Sequence, residues 1–265
     1  MKIISEKRIK EKSLIKVFKN NIIYGETINA LKKMPAGSVK LIITSPSYEV
    51  GKEYEKGLSF NKYLKEHQEI IRECKRVLSE DGSIYWNVAQ KPSNGEMLPL
   101  GAIFYDLFKK EGYFLKNWII WRFFGGLNCK KRLSGRYENI LWFVKDTENF
   151  IFNLDQIRIP AKWNKDKRNN PLGKNPTDFW EFENVWEINR VVNVSKQKTK
   201  HPCQFPEEMV RRIVEASSNE GDIVLDIFNG SGTTCKVANR LNRSFIGIDR
   251  NKKYCKIALK RIKGK

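Results

Sequence analysis

The chain has 265 residues, 40% of them hydrophobic and 30% charged, enough for one α/β domain that carries an insertion. Fifty Lys and Arg against thirty Asp and Glu leave a formal charge of +20, which calls for a polyanionic partner with nucleic acid first, although a lysine-rich composition accounts for part of the excess. No apolar run approaches the roughly 18 residues of a membrane span, and charges interrupt Met1 to Lys19 where a signal peptide needs an apolar block, so no membrane partner and a cytoplasmic location are expected.

In chain order, Val39 to Thr44 reads as the first strand, buried and ending in a proline turn. Asn61 to Leu78 places Leu64, Ile70, Ile71, Cys74, Val77 and Leu78 at helical spacing, and Asp81-Gly82 breaks that helix ahead of a strand at Ser83 to Val88. A helix at Leu100 to Lys110 and strands at Trp118 to Phe123 and Asn139 to Val144 continue a βα alternation. The pattern lapses from Lys145 to about Ser195, a stretch rich in Asn, Lys, Pro and aromatics. It resumes with a helix at Glu207 to Ala216, a strand at Asp222 to Ile227, a helix from Thr233 to Leu241 and a strand from Ser244 to Ile248 that ends at Asp249. Ligands collect at the carboxyl ends of strands in such a sheet.

Cys74, Cys129, Cys203, Cys235 and Cys255 form no Cys-x-x-Cys pair, and the only histidines, His67 and His201, lie far apart. Neither a metal site nor a cysteine nucleophile is expected.

The turn Asn229-Gly230-Ser231-Gly232 sits between a strand and a helix. Glycines there let backbone approach a ligand and leave helix-start amides facing it. Asp249 closes the next strand about 20 residues on, the position from which an acid accepts ribose hydroxyls. The turn lacks the Gly-Lys-Ser/Thr ending of a phosphate loop and the third glycine of a dinucleotide fingerprint. A tight turn that merely joins a strand to a helix is the plain alternative.

The string Asp226-Ile227-Phe228-Asn229-Gly230-Ser231-Gly232-Thr233-Thr234, followed by Ile246-Gly247-Ile248-Asp249, resembles the S-adenosylmethionine signature of amino-type DNA methyltransferases, with Ile227 where proline is usual. Upstream, Lys200-His201-Pro202-Cys203-Gln204-Phe205-Pro206 is similar to the family's segment over the methionine end of the cofactor. Thr44-Ser45-Pro46-Ser47-Tyr48 is similar to its Ser-Pro-Pro-Tyr motif, with Ser47 in place of the second proline. The serine form is associated mainly with cytosine N4 and the aspartate form with adenine N6. The base-acting motif precedes the cofactor motif, which is the β-group order.

The resemblance runs from about Asn21 to Arg261 and implies a mostly parallel Rossmann-like sheet with helices on both faces and a small basic target-recognition insertion. It divides the chain into a basic segment (1–20), a catalytic half (21–145), a target-recognition region (146–195) and a cofactor half (196–265). It assigns the base to Ser45, Pro46 and Tyr48, with the Ser45 hydroxyl and Pro46 carbonyl accepting the amine hydrogens and Tyr48 stacking on the extruded base. It assigns S-adenosylmethionine to Glu26, Thr44, His201, Pro202, Phe205, Asp226, Phe228, Gly230, Ser231, Gly232, Thr233, Thr234 and Asp249. Glu26 is the weakest of these, since a surface helix cap explains it as well.

Lys130, Lys131, Arg132 and Arg136, then Lys165, Lys167 and Arg168, are basic clusters suited to the phosphates of double-stranded DNA. Trp163, Phe179, Trp180 and Trp186 could stack there or simply pack a subdomain, and Asn164, Asn169 and Asn170 could reach base edges. The resemblance further implies a prokaryotic source, a cognate restriction endonuclease as partner, and a monomer or homodimer. Adenine N6 methylation, RNA methylation and a silent DNA-binding regulator that kept the fold are the competing readings.

Overall fold

The computed structural model describes residues 1–47, 60–93, 95–125, 128–160, 170–180, 199, 201 and 203–264. In chain order it contains β1 (Ile3–Ser5), β2 (Asn21–Tyr24), α1 (Thr27–Lys32), β3 (Val39–Thr44), α2 (Phe60–Val77), β4 (Leu78–Val88), β5 (Lys91–Ser93), β6 (Glu96–Leu98), α3 (Leu100–Lys110), β7 (Phe114–Arg122) and β8 (Tyr137–Val144). There follow β9 (Phe179–Trp180), α4 (Glu207–Ser217), β10 (Ile223–Asp226), α5 (Thr233–Arg240), β11 (Ser244–Asp249) and α6 (Lys252–Ile262).

Nine strands form one sheet in the order β1-β2-β11-β10-β3-β4-β8-β7-β9, while β5 and β6 make a separate antiparallel pair. All pairings from β1 to β4 are parallel; β8 runs antiparallel to both β4 and β7. Side chains alternate across this sheet. Leu141 and Phe143 of β8 join the core beneath α1, α2 and α3, whereas Ile140, Trp142 and Val144 join the core beneath α4, α5 and α6. Covering both faces explains the nearly unbroken apolar runs of β3, β8 and β11, because neither face of these strands meets water. This is the expected Rossmann-like architecture, a mostly parallel sheet with helices on both faces.

Several expected boundaries move. Val39 does not begin the first strand, since β1 and β2 precede it and extend the sheet outward from β11. Both are short, which deprives them of a readable period. Asp81-Gly82 does not end the helix either: α2 stops at Val77 and β4 runs through the dipeptide, with a register shift between Val39 and Leu41 absorbing the irregularity. A Cβ on Gly82 would lie 2.9 Å from the Lys40 carbonyl oxygen, so glycine is there for close strand approach. The stretch after Lys145 contributes β9, parallel to β7. Trp180 packs into the core with Arg212 over its ring at 5.3 Å, and Phe179 stays exposed. Among the described residues no helix is long and apolar enough to cross a membrane.

Candidate active site

Adjacent pairing of β3 and β10, Leu41 with Val224 and Ile42 with Leu225, brings the carboxyl ends of two distant segments together. There the Thr44 hydroxyl donates to Asp226 Oδ1 at 2.9 Å, a bond between fully buried neighbours 182 residues apart in sequence. The Phe228 amide donates to the same oxygen at 3.2 Å. Burial pushes the Asp226 carboxyl up to about 6, and the Thr234 and Thr44 hydroxyls and the Phe228 amide offset only part of that shift.

The loop that follows is pinned to β11. Asn229 N–H donates to the Ile248 carbonyl at 2.9 Å, and Gly230 N–H donates to Asp249 Oδ2 at 2.7 Å. The other Asp249 oxygen accepts from Asn251 N–H at 2.7 Å, and burial raises this carboxyl too. Gly230 and Gly232 both have positive φ, 47° and 75°. A Cβ on Gly232 would sit 2.5 Å from Ala258 Cβ, so this glycine admits α6 against the loop.

His201 lies over the loop. Its Nε2 is 2.8 Å from where a Gly230 Cβ would be, and its ring meets Tyr254 edge-on at 4.4 Å between centroids. Phe205 is half-buried, and its carbonyl is 3.5 Å from the Thr233 hydroxyl. Ser231 and Thr233 are buried, with hydroxyls bonded to Arg261 Nη1 at 3.1 and 2.9 Å. Arg261 in turn bonds Glu207 at 3.0 Å, which also holds Lys236 at 2.7 Å and Arg240 at 3.1 Å. Burial works against the Glu207 charge, but Lys236 and the two guanidinium groups hold its carboxyl below the usual range. Nothing in sequence spacing announces this four-residue support, because its members come from three helices.

Thr234 is fully buried, and the Phe228 ring lies 5.7 Å from that of His67. Glu26 precedes α1 as its cap residue but is exposed and makes no side-chain cap bond. Instead Thr27 donates to the Ile227 carbonyl at 2.8 Å and ties α1 to the glycine loop. Past β3, Pro46 is buried and Ser45 and Ser47 are half-buried. The expected contributions of Tyr48, Pro202, Lys165, Lys167 and Arg168, and of Trp163, Trp186, Asn164 and Asn169, fall outside the described residues.

Since β7 runs in the same direction as β4 and β3, the segment 123–136 between β7 and β8 leaves the sheet at the edge where Thr44 and Asp226 lie. Thr44 pairs with Trp86, Trp86 with Leu141 and Leu141 with Trp118, so the segment begins beyond Arg122, past the level of the site. Lys130, Lys131 and Arg132 are exposed on it, next to Leu133 at 94% exposure. Arg136 is half-buried and donates to Asn128 Oδ1 at 2.8 Å.

Two desolvated carboxylates at the ends of adjacent strands, with a positive-φ glycine loop between them, are an arrangement that could hold an adenosine-bearing, cationic ligand. Ribose hydroxyls and a positive charge would supply what burial withholds from Asp249 and Asp226. The chain belongs to the N6/N4 DNA methylase family, whose model matches residues 39–260, and is therefore an S-adenosylmethionine-dependent DNA methyltransferase. It is 41% identical to the type II methyltransferase M.BglII of Bacillus subtilis over 256 residues, 92% of this chain and 69% of that protein. It is 38% identical to the DNA adenine methyltransferase YhdJ of Escherichia coli K12 over 249 residues, 91% and 82% of the two chains. Among solved structures it superposes on the cytosine-N4-specific PvuII DNA methyltransferase with a TM-score of 0.72 at 20% identity, covering 91% of this chain and 85% of that one. The M1.HpyAVI–SAM complex gives 0.60 at 23% identity, with 91% and 98% covered.

Proposed function

We propose that the chain transfers a methyl group to the exocyclic N4 amine of a cytosine extruded from double-stranded DNA, as the modification partner of a cognate restriction endonuclease. The observation that carries this reading is the Thr44–Asp226 bond: Ser45 and Pro46 follow, by one and two residues, a side chain bonded to the carboxylate that opens the glycine loop. When bound, S-adenosylmethionine supplies an electrophilic methyl on a sulfonium.

An exocyclic amine is a poor nucleophile because its lone pair is delocalised into the ring. The Ser45 hydroxyl oxygen and the Pro46 carbonyl oxygen are the acceptors for its two hydrogens, favouring the pyramidal nitrogen of the transition state. No covalent enzyme intermediate is needed. Asp249, with the Gly230 and Gly232 backbone, serves the adenosine side, and His201 and Phe205 close over the loop. Serine rather than aspartate at position 45 is the form that the motif's resemblance associates mainly with cytosine N4, and this is what favours cytosine here. Exposed Lys130, Lys131 and Arg132 flank the site edge and take phosphates, Arg136 orders their segment through Asn128, and Lys165, Lys167 and Arg168 extend the same charge.

Adenine N6 is the second reading, favoured by the 38% identity to a protein named a DNA adenine methyltransferase. Methylating unmodified genomic DNA and digesting it to nucleosides separates the two. N4-methylcytosine is the expected product, N6-methyladenine overturns the cytosine assignment, and binding without any transfer establishes the silent-regulator reading instead.

A further inference from the structure

The turn after β3 has one stiff residue and one loose one. Pro46 fixes its own φ, but Ser47 carries neither that restraint nor the limit that a following proline would impose on residue 46. Restraint on the far half of the turn has to come from outside it. The structure supplies a bond there: the Tyr63 hydroxyl donates to the Ser47 carbonyl at 2.8 Å. That bond orients the peptide unit leading out of Ser47.

Tyr63 is itself immobilised. It stands in the first turn of α2, only 4% exposed, with its ring 4.0 Å from His67, 6.0 Å from Phe60 and edge-on to Phe104 at 6.3 Å. His67 Nδ1–H donates to the Tyr63 carbonyl at 2.8 Å, and burial lowers its imidazole to about 4, so it is a neutral packing element at ordinary pH. The His67 ring also reaches Phe228 of the cofactor loop at 5.7 Å and Trp86 of β4 at 6.3 Å. A rigid aromatic column thus runs from the cofactor loop to the Ser47 carbonyl.

We infer that Tyr63 is a positioning residue for the amine-accepting turn, its hydroxyl holding the Ser47 peptide and through it the Ser45 and Pro46 acceptors in place. This rests on the reading of that turn given under Proposed function. Loss of the hydroxyl leaves the column packed and frees only the turn, so the cost falls on the methyl-transfer step and spares cofactor binding.

The test compares Tyr63→Phe, Ser47→Pro and the double variant with the parent, on DNA and S-adenosylmethionine. Tyr63→Phe is expected to lower kcat about tenfold with KM for S-adenosylmethionine unchanged, the loss of one hydrogen bond in a positioned state. Ser47→Pro supplies the restraint covalently, so adding Tyr63→Phe to it should cost less than about twofold. An unchanged kcat in Tyr63→Phe, or the same tenfold loss in both backgrounds, overturns the inference. Hydrogen exchange of the peptide spanning residues 43–47 gives a readout independent of turnover: faster exchange in Tyr63→Phe supports the restraint, and identical exchange overturns it. A parent that transfers no methyl group refutes the proposed function, and the exchange result then decides on Tyr63 alone.

Discussion

The Thr44 hydroxyl donates to Asp226 Oδ1 at 2.9 Å, joining the last residue of β3 to the last residue of β10. One bond therefore locks the turn after β3 to the start of the glycine loop after β10, in a buried place. A buried carboxylate without its donors is costly, so the bond matters as much for the loop's shape as for its charge.

Thr44→Val keeps the side-chain shape and deletes that donor. It should destabilise the fold by about 1–2 kcal/mol and weaken methyl transfer more than it weakens cofactor binding. Denaturant midpoints and steady-state kinetics on the same preparation check both. Unchanged stability and kinetics would show that the bond is incidental.

Burial gives opposite pH signatures to two groups. Asp226 is raised from 3.8 to about 6, so its contribution to stability is complete below 3.8 and disappears as pH rises through 6. His67 is lowered from 6.5 to about 4, so its contribution is complete above 6.5 and is lost as pH falls towards 4. Asp249, also raised, acts in the sense of Asp226 in every variant. Urea midpoints between pH 4 and 7 should drop more steeply on acidification in Asp226→Asn than in the parent, and should rise on acidification in His67→Phe. The reverse ordering would refute the assignment.

Gly232 leaves no room for a side chain: an added Cβ meets Ala258 Cβ at 2.5 Å and Cα at 2.8 Å, at a φ of 75°. Gly232→Ala should cost about 2–4 kcal/mol, through overpacking and backbone strain together. Gly230→Ala meets only the His201 ring, a side chain that can move, and should cost less stability while disturbing cofactor binding. Equal losses of stability in the two variants would contradict this division.

Ser45→Ala should reduce kcat about a hundredfold with cofactor affinity intact, because it deletes an acceptor used at the reacting amine. Asp249→Ala should act the other way, raising the KM for S-adenosylmethionine first. If Ser45→Ala weakened cofactor binding and Asp249→Ala left it alone, the two roles would be exchanged.

Removing charge from the β7–β8 segment should weaken DNA binding alike on all sequences. In Lys131→Ala/Arg132→Ala, the slope of log affinity against log salt should fall by about 2, near one unit per lost phosphate contact. A slope equal to the parent's would place the phosphates elsewhere.

Local signals exposed much of this molecule. The shape of the glycine loop was readable because its constraints are local: glycines at the positive-φ positions 230 and 232 and an acid at the end of the next strand occupy fixed offsets in the chain. Residues 100–110 and 207–217 declared themselves as helices through their apolar stripes. By contrast β1, β2 and α1 are too short to show a period, and Asp81-Gly82 looked like a helix stop because turn chemistry reads alike wherever it occurs.

What sequence by itself determined is the family, through the strings Asp226 to Thr234 with Asp249 and Thr44 to Tyr48, together with a sheet whose strands are apolar on both faces. Only the tertiary structure decided which distant residues meet around those strings: Thr44 with Asp226, Tyr63 with Ser47, and Arg261 with Glu207, Ser231 and Thr233. Those contacts span separations from 16 to 182 residues and depend on strand order and helix placement. No local spacing encodes them, because a hydrogen bond requires only that two atoms meet in space.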